Sequence, residues 1–175
     1  MNNQHTTQTL NYYNQNAAQF SDSTQSLDFA SVQDKFLSFL QPQAHILDFG
    51  CGPGRDTKYF LSHGCSTDAI DGSEEFCRIA SEYAGIPVKQ MLFQEMNASE
   101  EYDGIWACSS ILHSTYDDLK DILKKLARAL KKEGILYASF KYGDFEGMRN
   151  GRYFIDMTED KLQRILQETD VFQIK

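Results

Sequence analysis

The chain has 175 residues, 41% of them hydrophobic and 24% charged, enough to bury one core and ordinary for a globular domain. Its 25 acidic and 17 basic residues leave a formal net charge of −8. Such a surface repels phosphate backbones and anionic membranes, so neither nucleic acid nor membrane is an expected partner.

The opening MNNQHTTQTL has neither the basic flank nor the apolar centre of a signal peptide, and no apolar run reaches membrane-spanning length. The four cysteines, Cys51, Cys65, Cys77 and Cys108, have no metal-ligand spacing and suit a reducing, cytoplasmic location; no metal site is expected. Residues 1–10 are polar and aperiodic and are expected to form a disordered tail ahead of one domain over residues 11–175.

From Phe29 the positions Phe29, Val32, Phe36 and Phe39/Leu40 recur at helical spacing, with Pro42 just past the end. HILDFG reads as a short buried strand, and RDTKYFLSHG as a helix stopped by Gly64. STDAIDGS is a second strand. Ser73 then caps the helix EEFCRIASEYAG, with Glu74 and Glu75 at its positive end. PVKQMLF and YDGIWACSSIL are the third and fourth strands. Asp117–Leu130 carries Leu119, Ile122, Leu123, Leu126, Ala127 and Leu130 on one stripe, with Lys124, Lys125, Arg128, Lys131 and Lys132 as a solvated basic face. ILYASFKY is a fifth strand, Thr158 caps a last helix with Leu162, Ile165 and Leu166, and VFQIK begins a sixth strand. The alternation predicts parallel βαβ units in a doubly wound α/β sheet, with helices on both faces.

In such a sheet ligands bind beyond the carboxyl ends of the strands, where the strand order reverses. ILDFGCGPGRD places Gly50, Gly52 and Gly54 at the first strand's exit, where backbone can approach a ligand closely. Asp71 ends the second strand about twenty residues on, where a carboxylate can accept both hydroxyls of a ribose. The pattern G-x-G-x-G brings the third glycine one residue earlier than the dinucleotide fingerprint, which disfavours a nicotinamide oxidoreductase. No Walker lysine follows the glycines.

ILDFGCGPGRD, AIDGS, YDGIWACSSILH and KKEGILYASFKYG, in this order and at these separations, resemble the class I S-adenosylmethionine-dependent methyltransferases. The likeness is strongest to small bacterial enzymes of the type 11/type 12 and tellurite-resistance-like groups, and runs from about Tyr12 to the end. The resemblance implies a Rossmann-like fold, S-adenosyl-L-methionine as cofactor and a small-molecule methyl acceptor. It implies that Gly50, Gly52 and Gly54 line the methionine moiety. Asp48 would hold the loop or reach the amine through water, and Asp71 would bind the ribose. Gly72 and Ser73 would flank the adenine beside Phe93, and Ala107 would pass beneath the cofactor. Tyr13, with Tyr12 as the alternative, matches an N-terminal tyrosine that closes over the cofactor. Relatives often carry an acid just before the Phe93 position; this chain has Leu92, with Gln94 or Glu95 as substitutes.

His113 follows the fourth strand, as a general base, an acceptor-orienting group or a loop histidine bonded to backbone. Lys141 and Arg152 flank a long glycine-bearing loop. Either they hold an anionic substrate or they balance Asp144, Glu146 and Asp156. Arg149 is a weaker candidate of the same kind. Arg55 is either a first-turn helix residue, like Asp56, or a contact to the cofactor carboxylate. The resemblance also implies a C-terminal hairpin with a seventh strand, left incomplete after VFQIK. An open sheet edge invites pairing, so the alternatives are a shortened chain, a short form that makes a homodimer through that edge, or a degenerate relative that binds cofactor without turnover. Two functions follow from the sequence: methyl transfer to a small molecule by in-line displacement, or cofactor binding by a non-catalytic partner protein of the same fold.

Overall fold

The computed structural model of the protein describes residues 4–175. Strands β1 (His45–Phe49), β2 (Ser66–Asp71), β3 (Lys89–Gln90), β4 (Tyr102–Ala107) and β5 (Leu130–Ala138) form one sheet in the order β3-β2-β1-β4-β5. Every pairing in it is parallel. The order reverses between β1 and β4, so the crevice for a ligand lies beyond the carboxyl ends of those two strands.

Side chains alternate across the sheet as period two requires. Leu47, Phe49, Ile105 and Ala107 pack into one core with α5 (Tyr116–Ala129) and α6 (Glu159–Thr169). Ile46 and Trp106 point the other way, against α2 (Ala30–Leu37) and α3 (Arg55–Ser62). Trp106 is fully buried, stacked on Tyr137 at 3.9 Å and edged by Phe36 and Phe60. Helix α4 (Glu74–Ala84) begins at Ser73, whose hydroxyl accepts from the Phe76 N–H, and ends at Gly85 with φ +76°. The architecture is the expected Rossmann-like one.

Three expectations are corrected. The disordered tail over residues 1–10 is replaced by helix α1 (Gln4–Thr24); residues 1–3 lie outside the described part. This helix meets the body through the Tyr13 and Phe20 rings against Phe76 and through hydrogen bonds from its first turns, which an apolar period does not register. Thr9 Oγ1 accepts from the Tyr153 N–H, Asn14 Oδ1 accepts from the Ser73 hydroxyl, and Tyr13 reaches His113. The long loop after Tyr142 contains an antiparallel hairpin, β6 (Glu146–Arg149) and β7 (Arg152–Ile155), turned at Asn150 and Gly151, both with positive φ. VFQIK is not a strand. Asp170 closes α6 with φ +52°, and Val171 and Phe172 pack on the core as side chains without a ladder.

Candidate active site

Beyond the ends of β1, β2 and β4, and under α1, lies a cavity of about 320 Å³. Gly50, Gly52, Arg55, Asp71, Gly72, Phe93 and His113 line it together with Tyr13. The glycines are required by geometry. Gly50 has φ +82°, and a β-carbon there would overlap that of Ser110; Gly54 has φ +87° and lies against Ala80. The loop is tied down from β2, because the Gly50 and Cys51 N–H groups both donate to the Ile70 carbonyl at 2.9 Å.

Asp71 clamps two turns at once. One carboxylate oxygen accepts from the Gly52 N–H at 2.9 Å and the other from the Ser73 N–H at 2.8 Å. Burial pushes its pKa up to about 6 against the pull of these donors. A carboxylate offers about four lone-pair sites, so each oxygen keeps one for a hydroxyl in the cavity.

Behind the loop, Asp48 accepts from the Thr57 hydroxyl at 2.6 Å, which fixes the start of α3. Burial, reinforced by the charge of Asp56, raises its pKa well above the carboxylate range. Asp56 receives the Arg55 fork at 2.8 and 2.9 Å, Gln33 Nε2 at 2.6 Å and the Trp106 indole N–H at 2.9 Å. Arg55 is thereby held flat, its guanidinium 4.7 Å from the Phe29 ring centre.

On the opposite wall the Tyr13 hydroxyl lies 2.7 Å from His113 Nε2, and His113 Nδ1 lies 2.6 Å from the Tyr153 carbonyl. A carbonyl only accepts, so Nδ1 carries the proton and Nε2 accepts from Tyr13. Burial, with the charges of Arg152 and Lys141, takes the imidazole down to about 4.

Six anticipated residues lie outside the lining of this cavity. Asp48 is behind the loop, and Gly54 faces Ala80 at the start of α3. Ser73 is fully buried, its hydroxyl given to Asn14 and to the α4 cap. Ala107 is sealed in the core of β4. Lys141 precedes the hairpin and Arg152 is the first residue of β7; both contact the Phe154 ring, and Arg152 reaches the Tyr13 hydroxyl at 3.4 Å. Of the two substitutes for the missing acid, Gln94 borders the cavity, whereas Glu95 is turned to the Leu92 N–H at 2.8 Å. Lining residues that the sequence did not single out include Leu10, Phe20, Phe76 and Ser110. The steps Leu10, Tyr13, Ala17, Phe20 carry a helical signal that could have found the first two.

A parallel sheet of this order, with glycine loop and carboxylate meeting at its switch point, defines a Rossmann-like domain with a site for a nucleoside-type ligand. The chain belongs to the methyltransferase domain family, whose model matches residues 46–134, just over half of it. It is 29% identical over 99 residues to malonyl-[acyl-carrier protein] O-methyltransferase of Enterobacter lignolyticus (strain SCF1), covering 53% of this chain and 37% of that protein. The chain therefore spans well under half the length of that curated relative. Among solved structures it is similar to 1,6-didemethyltoxoflavin-N1-methyltransferase of Burkholderia thailandensis, which was solved with 1,6-didemethyltoxoflavin and S-adenosylhomocysteine. That match has TM-score 0.67 and 23% identity, covering 79% of this chain and 65% of that one. A SAM-dependent methyltransferase of Leishmania major matches with TM-score 0.76 and 21% identity, covering 95% and 73%. At these identities the structural likeness speaks for the fold alone. No described helix is long and apolar enough to cross a membrane.

Proposed function

We propose that the chain is an S-adenosyl-L-methionine-dependent methyltransferase that transfers a methyl group to a small-molecule acceptor by in-line displacement. The observation that carries this reading is the meeting of the positive-φ glycine loop with Asp71 through the Gly52 N–H, at the switch point of the sheet.

The residues fit the group. Asp71 has lone pairs to spare for a ribose diol, and Gly50 and Gly52 let backbone lie against the methionine end. Phe93, stacked on Phe49 at 4.6 Å, forms an apolar wall for adenine with Leu92 and Gly72. Arg55 borders the cavity with its charge met by both oxygens of Asp56, and keeps one terminal nitrogen for a carboxylate. Asp48, Gly54, Ser73 and Ala107 support from behind: Asp48 through Thr57, Gly54 and Ser73 through the starts of α3 and α4, and Ala107 through β4. When bound, the cofactor supplies a methyl group activated by a sulfonium. The protein's part is to orient donor and acceptor and to exclude water, with Leu10, Tyr13 and Phe20 of α1 closing the roof. His113, its lone pair engaged by Tyr13, positions the tyrosine.

The test is calorimetric titration with S-adenosylmethionine and S-adenosylhomocysteine against NAD and ATP. Selective binding, weakened by Asp71→Ala and by Gly52→Val, is expected. A folded protein that binds neither would end the reading. A second reading, cofactor binding without turnover, is favoured by the occupied lone pair of the cavity's one histidine; binding with no methyl transfer across an acceptor screen would select it.

The four unpaired cysteines suit the reducing cytoplasm, which we assign as the location. Among the described residues no strand pairs with the outer edge of β5, and two copies would join there. A monomer in sedimentation would remove that dimer.

A further inference from the structure

Three cations crowd one aromatic ring beside the cavity. The guanidinium carbons of Arg149 and Arg152 and the Lys141 ammonium lie 4.6, 5.1 and 5.6 Å from the centre of Phe154. Only Arg149 is neutralised, by both oxygens of Asp156 at 2.8 and 3.2 Å. Among the described residues neither Lys141 nor Arg152 has a carboxylate within 4.0 Å. Of the acids around the hairpin, Asp156 serves Arg149 and Glu146 serves Lys161, the Tyr153 hydroxyl and the Tyr116 N–H, while the exposed Asp144 lies within 4.0 Å of neither free cation. In a chain of net charge −8, an uncompensated positive corner calls for an explanation.

The geometry of Arg152 narrows it. Its guanidinium is held by aromatic rings, 4.5 Å from Tyr12 and 5.1 Å from Phe154, and one terminal nitrogen makes only a 3.4 Å bond to the Tyr13 hydroxyl. Its Nε is shielded from solvent and has no acceptor, so much of the donor fork is unspent. A planar fork of this kind matches a planar carboxylate bidentately. The corner adjoins the Tyr13–His113 pair, whose other side faces the glycine loop.

We propose that Lys141, Arg152 and the Phe154 ring form a subsite for the anionic group of the acceptor, and that this group is a carboxylate. The inference rests on the methyltransferase reading for the word acceptor, while the anion site stands on its own geometry. The same corner suits an acceptor that arrives ionised. The His113 lone pair is already taken, and the two cations oppose an imidazolium beside them.

The experiment is calorimetric titration of the full chain with succinate and with inorganic phosphate, with and without S-adenosylhomocysteine. Succinate binding should be at least tenfold weaker in Lys141→Gln and in Arg152→Gln. It should be reduced but measurable in Arg152→Lys, and unchanged in Lys132→Gln on the exposed part of β5. S-adenosylhomocysteine affinity should be the same in Lys141→Gln and Lys132→Gln and retained in the two Arg152 variants, whose side chain touches the Tyr13 roof, which also certifies the folding of all four. The proposal is overturned if a wild type that binds S-adenosylhomocysteine ignores succinate, if the corner variants bind succinate equally well, or if phosphate binds as tightly. Succinate binding at the corner without any cofactor binding would keep the subsite and remove the methyltransferase reading; binding of neither would remove both.

Discussion

The phenol of Tyr13 donates to Nε2 of His113 at 2.7 Å, joining α1 to the turn after β4 across 100 residues of sequence. The Tyr153 carbonyl fixes the other ring nitrogen as the protonated one. A buried imidazole satisfied at both nitrogens is stable as the neutral form, and a proton added to Nε2 would force the Tyr13 hydroxyl to turn its hydrogen away and accept instead.

This pair and Asp71 give the protein two opposing responses to acid. Unfolded, His113 takes up its proton near pH 6.5, but folded only near 4, so between those values its stabilising contribution falls as pH falls. Asp71 does the reverse. Its folded pKa of about 6 against 3.8 makes its contribution complete below 3.8 and lost as pH rises through 6. Each swing is worth roughly 3 kcal/mol at 1.36 kcal/mol per pKa unit, so the two nearly cancel. Replacing His113 by Gln uncovers the imbalance. The stability deficit of His113→Gln, measured by urea denaturation, should shrink by about 2–3 kcal/mol between pH 7 and pH 4.5. A deficit that does not change with pH would mean that His113 titrates like a free imidazole.

Asp71→Ala should separate ligand binding from stability. The variant orphans the Gly52 and Ser73 N–H groups, at about 1 kcal/mol or more each beside a cavity that water can enter. It also removes a buried charge whose desolvation opposes folding at neutral pH. These changes offset, and stability at pH 7 should stay within about 1 kcal/mol of wild type. S-adenosylhomocysteine affinity should nonetheless drop at least tenfold in calorimetry. A large stability loss with binding retained would make Asp71 a loop tie only.

What the sequence revealed is what short-range chemistry encodes. Ile46, Leu47, Asp48 and Phe49 alternate as a buried strand must, and Gly50, Gly52 and Asp71 announce a close backbone approach followed by a carboxylate. What it concealed depends on partners far away. The buried positions of α1 are Thr9, Ala17 and Ser21, so its part within residues 1–10 reads as a polar tail until Tyr153, Ser73 and His113 are present to bond the helix. The hairpin of β6 and β7 has its glycines and charges at Gly147, Arg149 and Gly151, which reads as a loop. VFQIK has strand-like residues, but β-propensity is mostly packing against neighbours, and Val171 and Phe172 find the core without a ladder. Arg55 and Asp56 are adjacent, yet the other partners of Asp56 come from α2 and β4.

Two glycines in the same loop should behave differently. Gly50→Ala meets both a positive φ of 82° and the Ser110 side chain, which is itself held by the Phe49 carbonyl. Backbone strain alone is about 1–2 kcal/mol, and overlap in a packed position adds about 1–3. Gly52→Ala has φ +53° but no atom within 4 Å of the new β-carbon, so only the backbone cost of about 1 kcal/mol applies. Thermal melts should therefore rank wild type, then Gly52→Ala, then Gly50→Ala, with the methyl of Gly52→Ala intruding on the cavity and weakening S-adenosylhomocysteine. Equal melting points for the two variants would contradict the packing of Gly50 against Ser110.

Asp56 is the acid whose removal should cost most. It accepts from three side chains on three elements: Gln33 of α2, Arg55 of α3 and Trp106 of β4. Asp56→Asn keeps the volume but replaces one acceptor oxygen by a donor facing donors, and it strips the partly buried Arg55 of its counter-charge. Breaking a buried pair from one side costs about 3–5 kcal/mol, far above the value of an exposed ion pair. Arg55→Gln leaves Asp56 with Gln33 and Trp106 and should cost about half as much. The chain has a single tryptophan, so urea denaturation followed by Trp106 fluorescence reads the change at the hub itself. If Asp56→Asn cost less than Arg55→Gln, Arg55 would be held by the Phe29 ring, and Asp56 would be dispensable for presenting it to the cavity.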